Sequence, residues 1–191
     1  MNEIKFSDLS NIHITFTKKC GMEHRFAFEY EISLSSKNSV NKKYNLGIYP
    51  SDNIHFNIKE ADVEKYLTKY FKYHKYIEID EEYFNQIYNK LLNINFTEFS
   101  NVGEITDVGS IIFEISKYNY QLNVKYSELL IRESFLKEYD YNNNNVNEAI
   151  KGLNNIFEEL KIKIGQKEWY NNVAKEYNKK KKNKYKFTLI K

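Results

Sequence analysis

The N-terminal third of the chain alternates between apolar and polar residues with a period of two. This alternation is typical of β-strands that have one face in a core and the other in water. It predicts strands over residues 12–17, 26–34 and 44–48, and a fourth over 54–58 after a turn at 50–53. Consecutive strands of this kind predict an antiparallel meander.

Residues 60–79 fit two different patterns. Apolar residues from Val63 to Phe71 fall at helical spacing, and two acidic residues precede them, which favours a helix of about three turns. Residues 71–79 then alternate as a strand would. One long strand through the whole segment is the competing prediction.

Three further segments predict helices. Asp80 is a suitable N-cap for an apolar stripe that runs from Phe84 to Leu92. A second helix is predicted over 146–160, with Asn145 as its cap and Gly165 as its end. A third helix carries Trp169, Val173 and Tyr177, whereas residues 128–139 are only weakly helical.

Two more alternating runs, 111–115 and 120–126, predict a β-hairpin. The turn falls at residues 117–119. We expect Asn119 to adopt a positive φ there, because asparagine tolerates the left-handed conformation better than most residues.

These elements predict an α+β fold, with a mostly antiparallel sheet of six to eight strands and two or three helices packed on one face. Residues 1–178 are expected to form a single domain, or two strand-plus-helix units over 1–100 and 101–178. Residues 179–191 are predicted to be a basic tail, and an edge strand over 185–190 could pair with a second copy to make a homodimer.

The charge is distributed unevenly along the chain. The formal net charge is +3, but residues 165–191 hold nine lysines against two glutamates, so the preceding residues carry about −4. The sequence therefore predicts a mildly acidic body and a basic tail, each able to have its own partner.

The cellular compartment is predicted from the cysteine content and from the lack of long apolar runs. A single cysteine excludes an intramolecular disulfide, which is typical of a reducing environment. No apolar run resembles a signal peptide or reaches the roughly 18 residues of a membrane span. We expect a cytoplasmic protein without a membrane partner.

No motif predicts a metal, a cofactor or catalysis. The four histidines are not spaced as a local metal site requires. A restriction-type nuclease site would need Asp107, Glu114 and Lys117, but strand residues three apart point to opposite faces. We therefore expect no cofactor, no metal and no enzymatic activity.

The aromatic content favours recognition instead. The chain has seventeen tyrosines and thirteen phenylalanines, and some tyrosines should reach the surface, where rigid rings serve as binding anchors. The candidate protein-binding residues are Tyr70, Tyr73, Tyr76, Tyr118, Tyr120, Tyr139 and Tyr141.

In its small size, single cysteine, acidic body and absence of an active-site motif, the chain is similar to bacterial immunity proteins and to phage inhibitors of host defence such as anti-CRISPR proteins. The similarity rests on no motif and transfers no residue roles. Our first hypothesis is a non-enzymatic inhibitor that covers a partner protein, either a toxin or a nucleic-acid-processing enzyme. The alternative is an accessory protein that binds nucleic acid directly through Lys179, Lys180, Lys181, Lys182, Lys184 and Lys186.

Overall fold

The computed structural model describes residues 8–20, 27–51, 72–101, 109–127, 144–179 and 186–191. The predicted strand at 54–58, the predicted helix at 60–71 and the weak helix at 128–139 lie outside the described residues.

The described residues form an antiparallel sheet of six strands together with three α-helices. The strands are β1 (His13–Lys19), β2 (Tyr30–Ser35), β3 (Tyr44–Pro50), β4 (Lys75–Ile79), β5 (Ser110–Lys117) and β6 (Tyr120–Ser127). The helices are α1 (Glu81–Leu92), α2 (Asn144–Ile164) and α3 (Gln166–Lys179), with a 3-10 helix at Phe96–Asn101. The predicted α+β fold is confirmed.

The strand order is β4-β3-β2-β1-β5-β6, which places β2 and β1 at the centre. The register aligns the apolar positions of neighbouring strands. Ile14 pairs with Leu34 on one side and with Ile115 on the other. Because side chains alternate along a strand, this alignment places the buried apolar residues of the strands on one face of the sheet.

The helices cover that apolar face. Phe157 of α2 stacks on Phe16 of β1, with ring centroids 5.3 Å apart. Tyr170 of α3 stacks on Phe28 at 4.1 Å, and Phe84 of α1 lies 5.2 Å from a tyrosine of β3. Each helix therefore contributes aromatic rings to one continuous core.

The two helix boundary signals that involve Asp80 and Gly165 are confirmed. Asp80 caps α1, because its Oδ1 accepts a hydrogen bond from the Tyr83 amide at 2.7 Å. Gly165 separates α2 from α3 and has a φ of +69°, a conformation that glycine adopts without strain. The cap predicted at Asn145 is wrong, since α2 already includes Asn144.

Two local predictions in the sheet are also wrong. Residues 72–73 form a turn and β4 begins at Lys75, so the strand predicted over residues 71–79 is shorter than expected, and the competing prediction of one long strand is excluded. The positive φ in the β5–β6 hairpin belongs to Tyr118, at 49°, and Asn119 does not share it. The strand register, rather than the preference of asparagine, sets the conformation of this turn.

The predicted C-terminal edge strand is absent from residues 186–191, which belong to no strand. Their backbone is hydrogen-bonded to side chains of α3 instead. No helix among the described residues has the length and apolar character that crossing a membrane requires.

Candidate functional site

The sheet surface opposite to the core, here called the polar face, is formed by the alternate residues of each strand. The register places Thr15, Ser33, Gly47 and Tyr76 side by side across β1 to β4. Three of these residues are small. Thr15, Ser33 and Gly47 are buried, whereas the Tyr76 ring beside them is exposed.

Tyr76 packs against the backbone of Gly47. A Cβ atom added to Gly47 would lie 2.6 Å from Cε1 of Tyr76 and 2.9 Å from Oγ of Ser33, closer than real contacts allow. The absence of a side chain at Gly47 thus lets the ring approach the sheet, and 56% of Tyr76 is nevertheless exposed.

Two further rings join Tyr76 to form what we call the aromatic cluster, Tyr49, His74 and Tyr76. The rings of Tyr49 and His74 stack with centroids 5.0 Å apart. Nδ1 of His74 lies 3.2 Å from the Tyr76 hydroxyl, within hydrogen-bonding distance. Burial lowers the pKa of His74, which favours a neutral imidazole near neutral pH.

Glu31 lies beside the aromatic cluster. It accepts hydrogen bonds from the Tyr49 hydroxyl and from Oγ1 of Thr17, the latter at 3.3 Å. Burial raises the pKa of Tyr76, and the charge of Glu31 raises it further. The phenol of Tyr76 is therefore held in its neutral, donating form next to a carboxylate.

The carboxylates of the polar face fall into two groups. Toward its margins, Glu29 pairs with Lys19 at 3.0 Å and Glu78 pairs with Lys43. Glu31 accepts hydrogen bonds from neutral groups, and Glu114 accepts hydrogen bonds from the side-chain amides of Gln121 and Asn123. Neutral donors do not cancel a charge, so the part of this face that the structure describes is negative at its centre.

A surface cleft of about 340 Å³ adjoins the aromatic cluster, between the start of β4 and α3, and His74 contributes to its lining. Inside it the Tyr73 hydroxyl donates to Glu176 at 2.9 Å, and Lys72 donates to the same carboxylate at 2.9 Å. Trp169 donates its indole N–H to the Tyr73 carbonyl at 2.6 Å.

Tyr73 and Glu176 shift each other's pKa in opposite directions. The hydrogen bonds from Lys72 and Tyr73 lower the pKa of Glu176. Burial, followed by Glu176, raises the pKa of Tyr73 to about 12. A phenol and a carboxylate shifted in these directions exchange protons poorly at neutral pH, so the pair suits positioning rather than acid–base chemistry.

The predicted tyrosines do not form one surface within the described residues. Tyr76 and Tyr118 are exposed, the latter by 75%, whereas Tyr73 and Tyr120 are partly buried and pack against the core. Tyr76 belongs to β4 and Tyr118 follows β5, and these two strands are four strand spacings apart, about 19 Å across the sheet. The remaining candidates, which lie outside the described residues, are Tyr70, Tyr139 and Tyr141.

Sequence reasoning missed Tyr49, His74 and Glu31. Strand alternation places Tyr49 and Glu31 at polar positions, and this was the available signal. Their meeting depends on the pairing of β2 with β3, in which Glu31 lies opposite Tyr49.

Of the six candidate nucleic-acid-binding lysines, two are described. Lys179 is the last residue of α3, and the Lys186 ammonium donates to the Asn178 carbonyl. The candidates outside the described residues are Lys180, Lys181, Lys182 and Lys184. Across the described ranges, no group of three or more histidine, cysteine, aspartate or glutamate side chains is arranged to hold a metal ion.

Comparison with known proteins does not assign the chain to a family. The sequence matches no protein-family model, and no curated protein matches it significantly. The function must therefore be inferred from the chemistry of the polar face.

Proposed function

We propose that this protein is a non-enzymatic, cytoplasmic inhibitor that binds a partner protein through the polar face of its sheet. The aromatic cluster and Glu31 form the centre of the contact. The observation that supports this best is the Tyr76 ring, which is held against Gly47 and yet remains largely exposed. An inhibitor of this kind would act as immunity proteins and phage anti-defence proteins do.

The aromatic cluster has the properties of a binding anchor. Its rings are fixed by the His74 stacking contact and by the short approach to Gly47. A side chain that is already ordered loses little conformational entropy when a partner covers it. Tyrosine is also among the residues that most often dominate binding energy at protein interfaces.

The charge of the polar face indicates what kind of partner would fit. Glu31 and Glu114 accept hydrogen bonds from neutral groups rather than from lysine or arginine side chains among the described residues. A basic groove, such as one that holds a nucleic acid, would place lysine or arginine side chains against them. Charge complementarity of this kind accelerates association and selects the partner. The proposed target is therefore a nucleic-acid-processing enzyme or a toxin with a basic groove.

Affinity capture from a lysate of the source cells tests this proposal. Nuclease treatment and moderate salt remove complexes held together by phosphate contacts. We expect one stoichiometric protein partner on the wild-type chain, at least tenfold less on Tyr76→Ala, and a clear reduction on Glu31→Gln. Glu148→Gln is the matched control, because Glu148 is an exposed residue of α2 on the other side of the sheet.

Two outcomes would contradict the proposal. Recovery of nucleic acid alone, lost steeply as salt rises, would favour the alternative based on the lysine-rich segment. If wild type and Tyr76→Ala captured the same protein in equal amount, the partner would not bind through the polar face.

A further inference from the structure

Residues 186–191, here called the return segment, run back along α3 in the opposite direction. Asn178 holds one end of the segment: its Nδ2 donates to the Phe187 carbonyl and its Oδ1 accepts from the Phe187 amide, both at 2.8 Å. Asn171 holds Ile190 in the same way, at 3.0 Å and 2.8 Å. Each asparagine thus forms a two-bond clamp on one residue of the return segment.

The spacing of the two clamps matches an extended chain. Asn171 and Asn178 are seven residues apart, which is about 10.5 Å along a helix. Phe187 and Ile190 are three residues apart, which is about 10 Å in an extended chain. The amide side chain supplies one donor and one acceptor to one N–H and one C=O, so the clamps recognise main chain and not a particular sequence.

The contacts of the return segment constrain the type of side chain mainly at the first clamped position, Phe187. The Phe187 ring lies 4.4 Å from the Tyr177 ring and 5.2 Å from the Phe28 ring, between centroids. Leu189 and Ile190 remain 40% and 39% exposed. Ile190 borders a surface cleft of about 540 Å³, which leaves room for a different side chain at this position.

We propose that the surface of α3 is a binding site for an extended peptide segment of a partner protein, with an aromatic residue at the first clamp and an aliphatic residue three positions later. The return segment is its intramolecular occupant, and a partner segment of the same pattern replaces it. The clamps lie on α3, which packs on the apolar side of the sheet. This inference is therefore independent of the function proposed for the polar face.

The test uses the full-length chain and a fluorescently labelled hexapeptide with the sequence of residues 186–191. In the variant Phe187→Ala the intramolecular segment loses its aromatic anchor and the groove becomes accessible. We expect saturable binding of the hexapeptide to this variant, and at least tenfold weaker binding to wild type, because the tethered segment competes at a high effective concentration.

Two further measurements, one with a changed hexapeptide and one with a changed protein, test whether the binding uses the proposed contacts. A hexapeptide with alanine in place of the phenylalanine should bind at least tenfold more weakly. Adding Asn178→Ala to the Phe187→Ala protein should weaken binding about tenfold, because two hydrogen bonds are lost. Adding Asn172→Ala is the matched control and should leave binding unchanged, since Asn172 is an exposed neighbour on α3 outside both clamps.

A lack of saturable binding to Phe187→Ala, or equal binding after loss of the clamp, would overturn the inference. Amide hydrogen exchange on the wild-type chain gives a second measurement that needs no variant of Phe187. The amides of Phe187 and Ile190 should exchange at least tenfold faster when excess hexapeptide is present, because the displaced segment loses both clamps. Unchanged exchange at both amides would also overturn it.

Discussion

The Tyr76 ring packs directly over Gly47, its neighbour across the β3–β4 pairing. A Cβ at position 47 would lie 2.6 Å from Cε1 of Tyr76, so no larger residue fits while the ring keeps its place. The fold therefore needs a glycine at position 47 to keep the Tyr76 ring in place, and we propose that this ring is at the centre of the binding surface.

The first prediction concerns Gly47→Ala. The new methyl group must displace Tyr76 and the Ser33 hydroxyl, both of which are side-chain groups that can move. We expect the chain to remain folded, with the free energy of unfolding lowered by about 1–2 kcal/mol. Binding of the captured partner should weaken at least tenfold, because the ring is no longer held in place.

Urea denaturation and a binding titration measure these two quantities. Gly152→Ala is the matched control, since Gly152 is a helical glycine of α2 whose added Cβ would meet Ile94 at 3.3 Å. It should leave partner binding unchanged. Full partner affinity in Gly47→Ala would show that the position of the Tyr76 ring is irrelevant to binding.

The second prediction concerns the pH dependence of stability through His74. Burial lowers the pKa of His74 in the folded chain below its unfolded value of about 6.5. Between those two values the unfolded chain binds more protons, so the free energy of unfolding decreases as the pH falls through this window. The Tyr49 ring stacks on the imidazole, and the Tyr76 hydroxyl lies 3.2 Å from its Nδ1.

Denaturant unfolding at about pH 7.5 and about pH 5.5 measures this effect. We expect wild type to lose more stability between the two pH values than His74→Gln does. Identical losses in the two proteins would mean that His74 titrates in the folded chain as it does in the unfolded one.

The third prediction concerns the packing of α2 on the sheet. Ile156 is 2% exposed and Ile162 is 81% exposed, although both lie on this helix. Ile156→Ala removes buried methyl groups and leaves a cavity, so it should lower the free energy of unfolding by about 2–5 kcal/mol. Ile162→Ala should change it by no more than about 0.5 kcal/mol.

Chemical denaturation of the two variants tests this prediction. Both are isoleucine-to-alanine substitutions on the same helix, so they differ in the burial of the isoleucine. Equal losses of stability would mean that α2 does not dock on the sheet through the side that carries Ile156.

The fourth prediction concerns the β5–β6 turn. Tyr118 has a φ of 49°, in the left-handed region that costs a residue with a side chain about 1–2 kcal/mol. Its hydroxyl accepts a hydrogen bond from Asn11 at 2.8 Å, at the surface. Tyr118→Asn should raise the free energy of unfolding by about 0.5 kcal/mol, because asparagine tolerates this conformation and the lost bond is exposed. A decrease of more than about 1 kcal/mol, measured by thermal or urea unfolding, would contradict this account of the turn.

Much of the fold was predictable because burial imposes a period on the sequence. The alternation of Ile14 and Phe16 with polar neighbours predicted β1, and the stripe from Phe84 to Leu92 predicted α1. In both elements the apolar residues meet the core, so pattern and structure agree.

The remaining differences arise where a local preference competes with a tertiary contact. Asn119 is the better left-handed residue, yet the hairpin gives that conformation to Tyr118. The alternating residues near the end of the chain resemble a strand, but Asn171 and Asn178 hold this segment along α3. These contacts join segments that are apart in the sequence, so the pattern of one segment cannot predict them.

The binding surface was the least predictable part for the same reason. Glu31, Tyr49 and His74 come from three separate strands or connections, and the pairing of β2, β3 and β4 brings them together. Of the predicted tyrosines that the structure describes, Tyr76 alone belongs to the aromatic cluster. Spacing along the chain can predict single candidate residues. It cannot predict which residues from other strands will contact them in the fold.

Site-specific photo-crosslinking to the captured partner tests the central claim most directly. A benzophenone amino acid would replace Tyr76 in one sample and Ile162, which is exposed on α2, in the other. We predict that irradiation links the partner to the chain labelled at position 76 and not to the chain labelled at position 162. Crosslinking from position 162 alone would contradict the proposal that the polar face is the contact surface.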